Sequence, residues 1–323
     1  MPDGREVYQQ YLIDEFLDDY RDRRVSRRQT LKLLAGITGS MSAAGLLVAA
    51  CAPTAAPAPT AAPTAAPAPT ATARPANTPV PDDRRVAATD PAIKGEMVKF
   101  ASGADQIMGY MARPAAGNGP FPAVMVCHEN RGLTEHIQDV ARRFAKSGYV
   151  GLAVDLLSRA GGTDKIADSN TIPGLLTNVP PDRHAGDFVA ALAYLNTQSG
   201  VAKGKVGMIG FCFGGGMTWL TASKAPDLKV AVPFYGPAPA DPKVLANVKA
   251  AVLGVYAGLD DRVNASIPAV EAALKDSKVA YELKKYENSN HGFHNDTGSV
   301  YNPTTAKQAW TDALALFDKT LKA

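Results

Sequence analysis

The segment Gly210-Phe211-Cys212-Phe213-Gly214 constrains this chain more than any other. It follows the apolar run KVGMIG at residues 205–210 and precedes a helix-forming stretch at about 213–223. A tight strand-to-helix turn of this kind strains its central residue and lifts that side chain out of a sheet. Small residues two before and two after the centre keep the neighbouring backbone from clashing. Gly210 and Gly214 meet that need, and Gly215 and Gly216 add room for close helix–strand packing. Cys212 is therefore expected to act as a nucleophile, with the helix start behind it favouring thiolate. The competing reading is a structural cysteine buried in a glycine-rich turn.

The surrounding sequence alternates strand and helix from residue 94 to the end. Short apolar or β-branched runs predict strands at 97–102, 106–113, 122–127, 149–154, 205–210, 229–235, 251–256 and 280–286. Spacing of 3.6 residues predicts helices at 135–147, 182–198, 213–223, near 264–276 and at 304–321. The last of these is expected to bury Trp310, Leu314, Phe317 and Leu321. Such alternation implies an α/β fold, a mostly parallel, doubly wound sheet with helices on both faces.

A nucleophile on such a sheet needs a base, and the base an orienting acid, in the chain order nucleophile, acid, histidine. The histidines after Cys212 are His291 and His294, in the loop ENSNHGFHND. His291 is preferred because Gly292 permits a tight turn beside it; His294 is the competitor, otherwise a solvent-exposed loop residue. The acid is expected just past the 251–256 strand, where Asp260 and Asp261 both qualify and Asp260 is preferred. Two backbone amides, of Phe213 and of Asn130 in the HENRGL loop, are the expected oxyanion donors. Glu129 points toward the same crevice, where a carboxylate could hold or accept the thiol proton.

These pieces together, CHENRGL, KVGMIGFCFGG, YAGLDDRV and NHGFHND, resemble the dienelactone hydrolase family, the carboxymethylenebutenolidase-like α/β-hydrolases. The resemblance covers residues 94–323. It implies an α/β-hydrolase fold, a triad of Cys212, Asp260 and His291, a thiol controlled by Glu129, and oxyanion amides at Asn130 and Phe213. It also implies a carboxylic ester hydrolase acting on a small-molecule ester or lactone. The characterised dienelactone enzyme holds its substrate carboxylate with arginines, one of them four residues after the catalytic histidine. Here that position is Asn295, which cannot pair with a carboxylate as a guanidinium does. Arg183 precedes a helix near where another such arginine would lie.

Two further readings stay open. One is a membrane-tethered small-molecule binding protein on a hydrolase scaffold. The other is a redox thiol protein pairing Cys127 with Cys212. No cofactor is expected, since no Cys/His cluster has metal spacing, and a monomer is expected. The formal net charge of +3 and the lack of a basic, aromatic-laced stripe argue against nucleic acid.

The first 93 residues read as an address and a spacer. Arg27 and Arg28 within SRRQTLKLLAG precede a weakly apolar run that ends VAAC at Cys51. This resembles a twin-arginine export signal closed by a lipobox, with Cys51 lipidated and the protein exported and anchored to the cell membrane. A transmembrane helix over residues 31–50 is the alternative. Residues 52–93 form an Ala/Pro/Thr-rich linker whose composition cannot build a core.

Overall fold

The computed structural model describes residues 4–50, 85–117 and 119–323. Cys51 and most of the Ala/Pro/Thr-rich tract lie outside the described residues. The strands are β1 (Ile93–Ser102), β2 (Asp105–Pro114), β3 (Phe121–Cys127), β4 (Val150–Asp155), β5 (Val201–Phe211), β6 (Val230–Phe234), β7 (Ala251–Ala257) and β8 (Tyr281–Tyr286). They form one sheet in the order β1-β2-β4-β3-β5-β6-β7-β8. The pairs β1–β2 and β2–β4 are antiparallel, and every later neighbour is parallel. β4 and β6 are buried along their whole length, which is why they read as unbroken apolar runs. β8 closes the sheet as an edge strand, and Lys284 and Lys285 guard that edge against further pairing.

Among the described residues ten α-helices accompany the sheet: α1 (Arg5–Arg21), α2 (Arg27–Thr38), α3 (Met41–Ala50), α4 (Glu135–Lys146), α5 (Ile172–Thr177), α6 (Pro181–Thr197), α7 (Phe213–Lys224), α8 (Asp261–Asn264), α9 (Ile267–Ser277) and α10 (Pro303–Leu321). α4 buries Ile137, Val140, Ala141 and Phe144, and it meets α10 where Phe144 packs 4.8 Å from Trp310 and 5.3 Å from Phe317. Leu314 on α10 is half-buried, while Trp310, Phe317 and Leu321 are buried. The stretch expected as one helix near 264–276 is split into α8 and α9, with Pro268 at the start of α9. Proline lacks an N–H and is tolerated only in a helix's first turn.

The amino-terminal residues pack against this domain. α1 buries Tyr8, Tyr11, Leu12 and Phe16 on one face. Leu12 and Phe16 are almost wholly removed from water, each contributing about 1.5–3 kcal/mol. α2 starts at Ser26, whose hydroxyl accepts from the Gln29 amide at 3.3 Å. It crosses α5 where Gly36 meets Gly174, so closely that a side chain at Gly174 would strike the Gly36 backbone. Among the described residues no helix is long and apolar enough to cross a membrane.

Candidate active site

β5 runs directly into α7 through Cys212, whose φ of 56° and ψ of −119° no ordinary L-residue adopts without strain. Such a conformation costs about 1–3 kcal/mol and persists only where the surroundings fix it. Here the Cys212 amide donates to the Phe234 carbonyl at 3.0 Å, and the Cys212 carbonyl accepts from Gly215 at 2.9 Å and Gly216 at 3.2 Å. A Cβ on Gly214 would lie 2.5 Å from the His128 carbonyl and 2.6 Å from that of Cys127, while one on Gly210 would strike the Gly214 carbonyl. The two glycines thus let the turn close against β3. Phe213 is the first residue of α7, and the leading amides of a helix have no partner within it.

Across the sheet's carboxyl edge, the loop after β8 brings His291 to the loop after β7. His291 Nδ1 lies 2.6 Å from Asp260 Oδ2. Asp260 also caps α8, accepting from the Val263 amide at 3.2 Å. Asp261, the adjacent candidate, is exposed at the first turn of that helix. His294 is not exposed: it is fully buried, stacked 4.9 Å from Phe211. Burial disfavours charge on His291, yet Asp260, Cys212 and Glu15 together hold its pKa well above the ordinary histidine value. Burial works against the Asp260 carboxylate too, but His291 and Arg262 hold it below its usual value.

The sequence reading missed the contribution of α1. Its Glu15 reaches the centre of the site, with Oε2 3.4 Å from Cys212 Sγ and 3.7 Å from His291 Nε2. Glu15 Oε1 accepts from the Asn130 side-chain amide at 2.8 Å. The Tyr11 hydroxyl lies 3.3 Å from His291 Nε2 and 3.5 Å from Cys212 Sγ. Arg262 spans helix and domain: its guanidinium stacks 4.4 Å over the Tyr11 ring and approaches Asp18 at 3.6 Å. Burial, with Glu15 beside it, pushes the Cys212 thiol up to about 11, although His291 pulls the other way. The helical spacing of Tyr8, Tyr11, Leu12 and Phe16 was the available signal, masked by the charged residues between them.

Glu129 lines the crevice that the thiol adjoins. Its Oε2 accepts from Asn295 Nδ2 at 2.6 Å, so Asn295 secures a protein carboxylate beside the site, and the hydrogen-bonding position on Sγ belongs to Glu15. Burial raises the Glu129 pKa, against the pull of His136 and Asn295. Arg183 is exposed and paired with Asp105 at 2.6 Å. Cys127 ends β3, fully buried, with its sulfur directed to the His128 carbonyl, and both Cys127 and Cys212 are free thiols.

A cavity of about 590 Å³ opens onto these groups, lined by Cys212, Glu129, Asn130, Asp260, His291 and Asn295, with Glu15, Asp18 and Arg24 closing one side. That is the size range of small-molecule sites. Glu15, Cys212 and His291 also bring three ligating atoms within 4.8 Å of one another, the spacing a metal ion would need.

Comparison with known proteins places this arrangement in context. The family described as "Dienelactone hydrolase family" matches residues 107–321. A protein of Escherichia coli O157:H7 that bears the name carboxymethylenebutenolidase is 32% identical over 243 residues, which are 72% of this chain and 89% of that one. A namesake from Methylorubrum extorquens is 35% identical over 229 residues, 68% of this chain and 78% of its own. A dienelactone hydrolase structure from Klebsiella pneumoniae superposes with a TM-score of 0.65 at 30% identity, covering 71% of this chain and 99% of that one. A dienelactone hydrolase-like promiscuous phosphotriesterase from metagenomic libraries superposes with a TM-score of 0.64 at 27% identity, with the same coverage.

Proposed function

The chain belongs to the dienelactone hydrolase family of α/β-hydrolases, and from that premise we propose that it cleaves an ester or lactone through a Cys212–Asp260–His291 triad and a thioester intermediate. The observation that carries this reading is the 2.6 Å bond from His291 Nδ1 to Asp260, with Nε2 left facing a cysteine on a strained strand-to-helix turn. His291 takes the thiol proton, and the Cys212 thiolate attacks the substrate carbonyl carbon. The carbonyl oxygen, now an oxyanion, is stabilised by the amides of Phe213 and Asn130. Collapse of this intermediate expels the alkoxide, which takes the proton from His291 and leaves the acyl group on sulfur. His291 then removes a proton from water, the hydroxide attacks the thioester, and the thiol is restored with release of the acid. Asp260 holds the imidazole in one tautomer and stabilises its protonated form. Glu129 faces the same cavity and adds its charge to the field on the thiol.

An export address belongs to the same proposal. It is supported by the motif around Arg27 and Arg28, both exposed at the start of α2, and by the VAAC sequence ending at Cys51. Changing Cys51 to Ala is expected to abolish metabolic lipid labelling; undiminished labelling would remove that part. For the chemistry, Cys212→Ala is expected to abolish turnover of p-nitrophenyl acetate, and turnover at the wild-type rate would refute the nucleophile.

A further inference from the structure

We propose that Glu15 is an intramolecular occupant of the acyl-binding position, so that α1 must withdraw before a substrate carbonyl can reach Cys212. The proposal rests on the hydrolase reading of Cys212. In such a reaction the carbonyl carbon must sit about 3–3.5 Å from the sulfur, in a pose that leaves the departing oxygen near the base. A carboxyl group of the protein already fills that space. Glu15 Oε2 is 3.4 Å from Sγ and 3.7 Å from His291 Nε2, and Oε1 accepts from the Asn130 side chain at 2.8 Å. The nucleophile, the base and the side chain of the oxyanion-loop residue Asn130 therefore surround Glu15 in the manner of a bound carboxylic acid product. The Tyr11 hydroxyl, 3.3 Å from His291 Nε2, closes the remaining side of the base. The result is a thiol only 3% exposed although a cavity adjoins it.

The attachment of α1 suits a piece that leaves. It is bound by one apolar face, by Arg262 laid over Tyr11 and close to Asp18, by the Asn130 bond to Glu15 and, just past its end, by a bond at 3.3 Å from Arg24 to Asn290. It contributes no strand to the sheet. The raised thiol pKa, to which Glu15 contributes, agrees with a nucleophile kept protonated while covered. A cut before Cys51 would carry α1 away together with α2 and α3, which would couple exposure of the thiol to processing of the leader.

The experiment compares full-length wild type, Glu15→Ala, Glu15→Gln and Phe16→Asp by two readouts. The first is the rate of Cys212 alkylation by iodoacetamide, followed by peptide mass spectrometry with buried Cys127 as the internal reference. The second is KM and kcat for p-nitrophenyl acetate. An internal competitor reduces apparent affinity by the fraction of molecules that are open, so Glu15→Ala and Phe16→Asp are expected to alkylate about tenfold faster and to lower KM about tenfold with kcat little changed. Glu15→Gln keeps the shape of the occupant and is expected to remain close to wild type. Should Glu15→Ala or Phe16→Asp fail to melt like the wild type, Leu12→Ala, a milder loss from the same buried face of α1, carries the same expectation. Unchanged alkylation and KM overturn the proposal, as does a fall in kcat at constant KM, which would make Glu15 a helper of the reaction. Faster alkylation with no ester turnover in any variant would keep the occlusion and remove the hydrolase reading. Turnover by wild type with alkylation unaltered in the variants would do the reverse.

Discussion

Replacing Asp260 by Asn tests the orienting acid at the point where sequence left two neighbours eligible. The carboxylate lies 2.6 Å from His291 Nδ1 and is buried where it caps α8. Asparagine preserves the size of the side chain and removes its charge. Two unit charges about 4 Å apart at an effective dielectric near 20 interact by about 4 kcal/mol. His291 becomes positively charged when it takes the thiol proton, so this energy is lost from the step that forms the nucleophile. At about 1.4 kcal/mol per factor of ten, kcat/KM should fall about a thousandfold. Steady-state hydrolysis of p-nitrophenyl acetate measures it, with melting curves to establish folding. Asp261→Asn provides the control, since Asp261 is exposed and should leave kcat/KM within about twofold, as surface changes generally do. A Asp260→Asn enzyme as active as wild type, or a collapse in Asp261→Asn, would refute the reasoning.

The remaining predictions concern pH, packing and buried charge. Because Asp260 helps hold the His291 pKa up, residual activity of Asp260→Asn should reach its plateau at a lower pH than wild type; a plateau at the same or higher pH would contradict this. Gly214→Ala should cost about 1–3 kcal/mol of stability, since its Cβ would strike the carbonyls of Cys127 and His128, and calorimetry should show a clear drop in Tm. Asp296 is buried between His136 at 3.0 Å, Arg85 at 3.0 Å and Arg143 at 3.6 Å. Asp296→Ala should cost about 3–5 kcal/mol by stranding those partners in chemical denaturation. These partners and neighbouring groups hold the Asp296 carboxyl below its ordinary value, so its stabilising contribution is complete above about pH 4 and is lost as pH falls through the folded value. Acid titration of wild type against Asp296→Ala should therefore show their stability difference closing below about pH 4.

The core strands and helices were legible because burial on both faces writes itself as apolar runs and 3.6-residue spacing. β3, β4 and β6 differ from the expected 122–127, 149–154 and 229–235 by only a residue or two at their ends. The elbow was legible from Gly210 and Gly214 because their backbone contacts admit no side chain. Asp260 was preferred over Asp261 from sequence, and in three dimensions the two part because Asp260 caps α8 and meets His291 while Asp261 is exposed. His294 was misread as a surface residue because its aromatic partners, Phe211 and Trp310, come from distant segments. α1 was hidden for a related reason. Its five buried apolar residues are set among acidic and basic ones, and its composition resembles a solvated tail. Glu15 in particular carries no local signature, because its meaning depends on a thiol 197 residues away.

Trapping the acyl-enzyme tests the central claim most directly. Full-length protein is mixed with p-nitrophenyl acetate, quenched in acid within the first turnovers, digested and sequenced by mass spectrometry. The account predicts one acetyl group on Cys212, absent in Cys212→Ala and accumulating in His291→Ala if acylation still proceeds slowly there. Turnover that continues in Cys212→Ala, or an acetyl group carried on a residue other than Cys212, would contradict it.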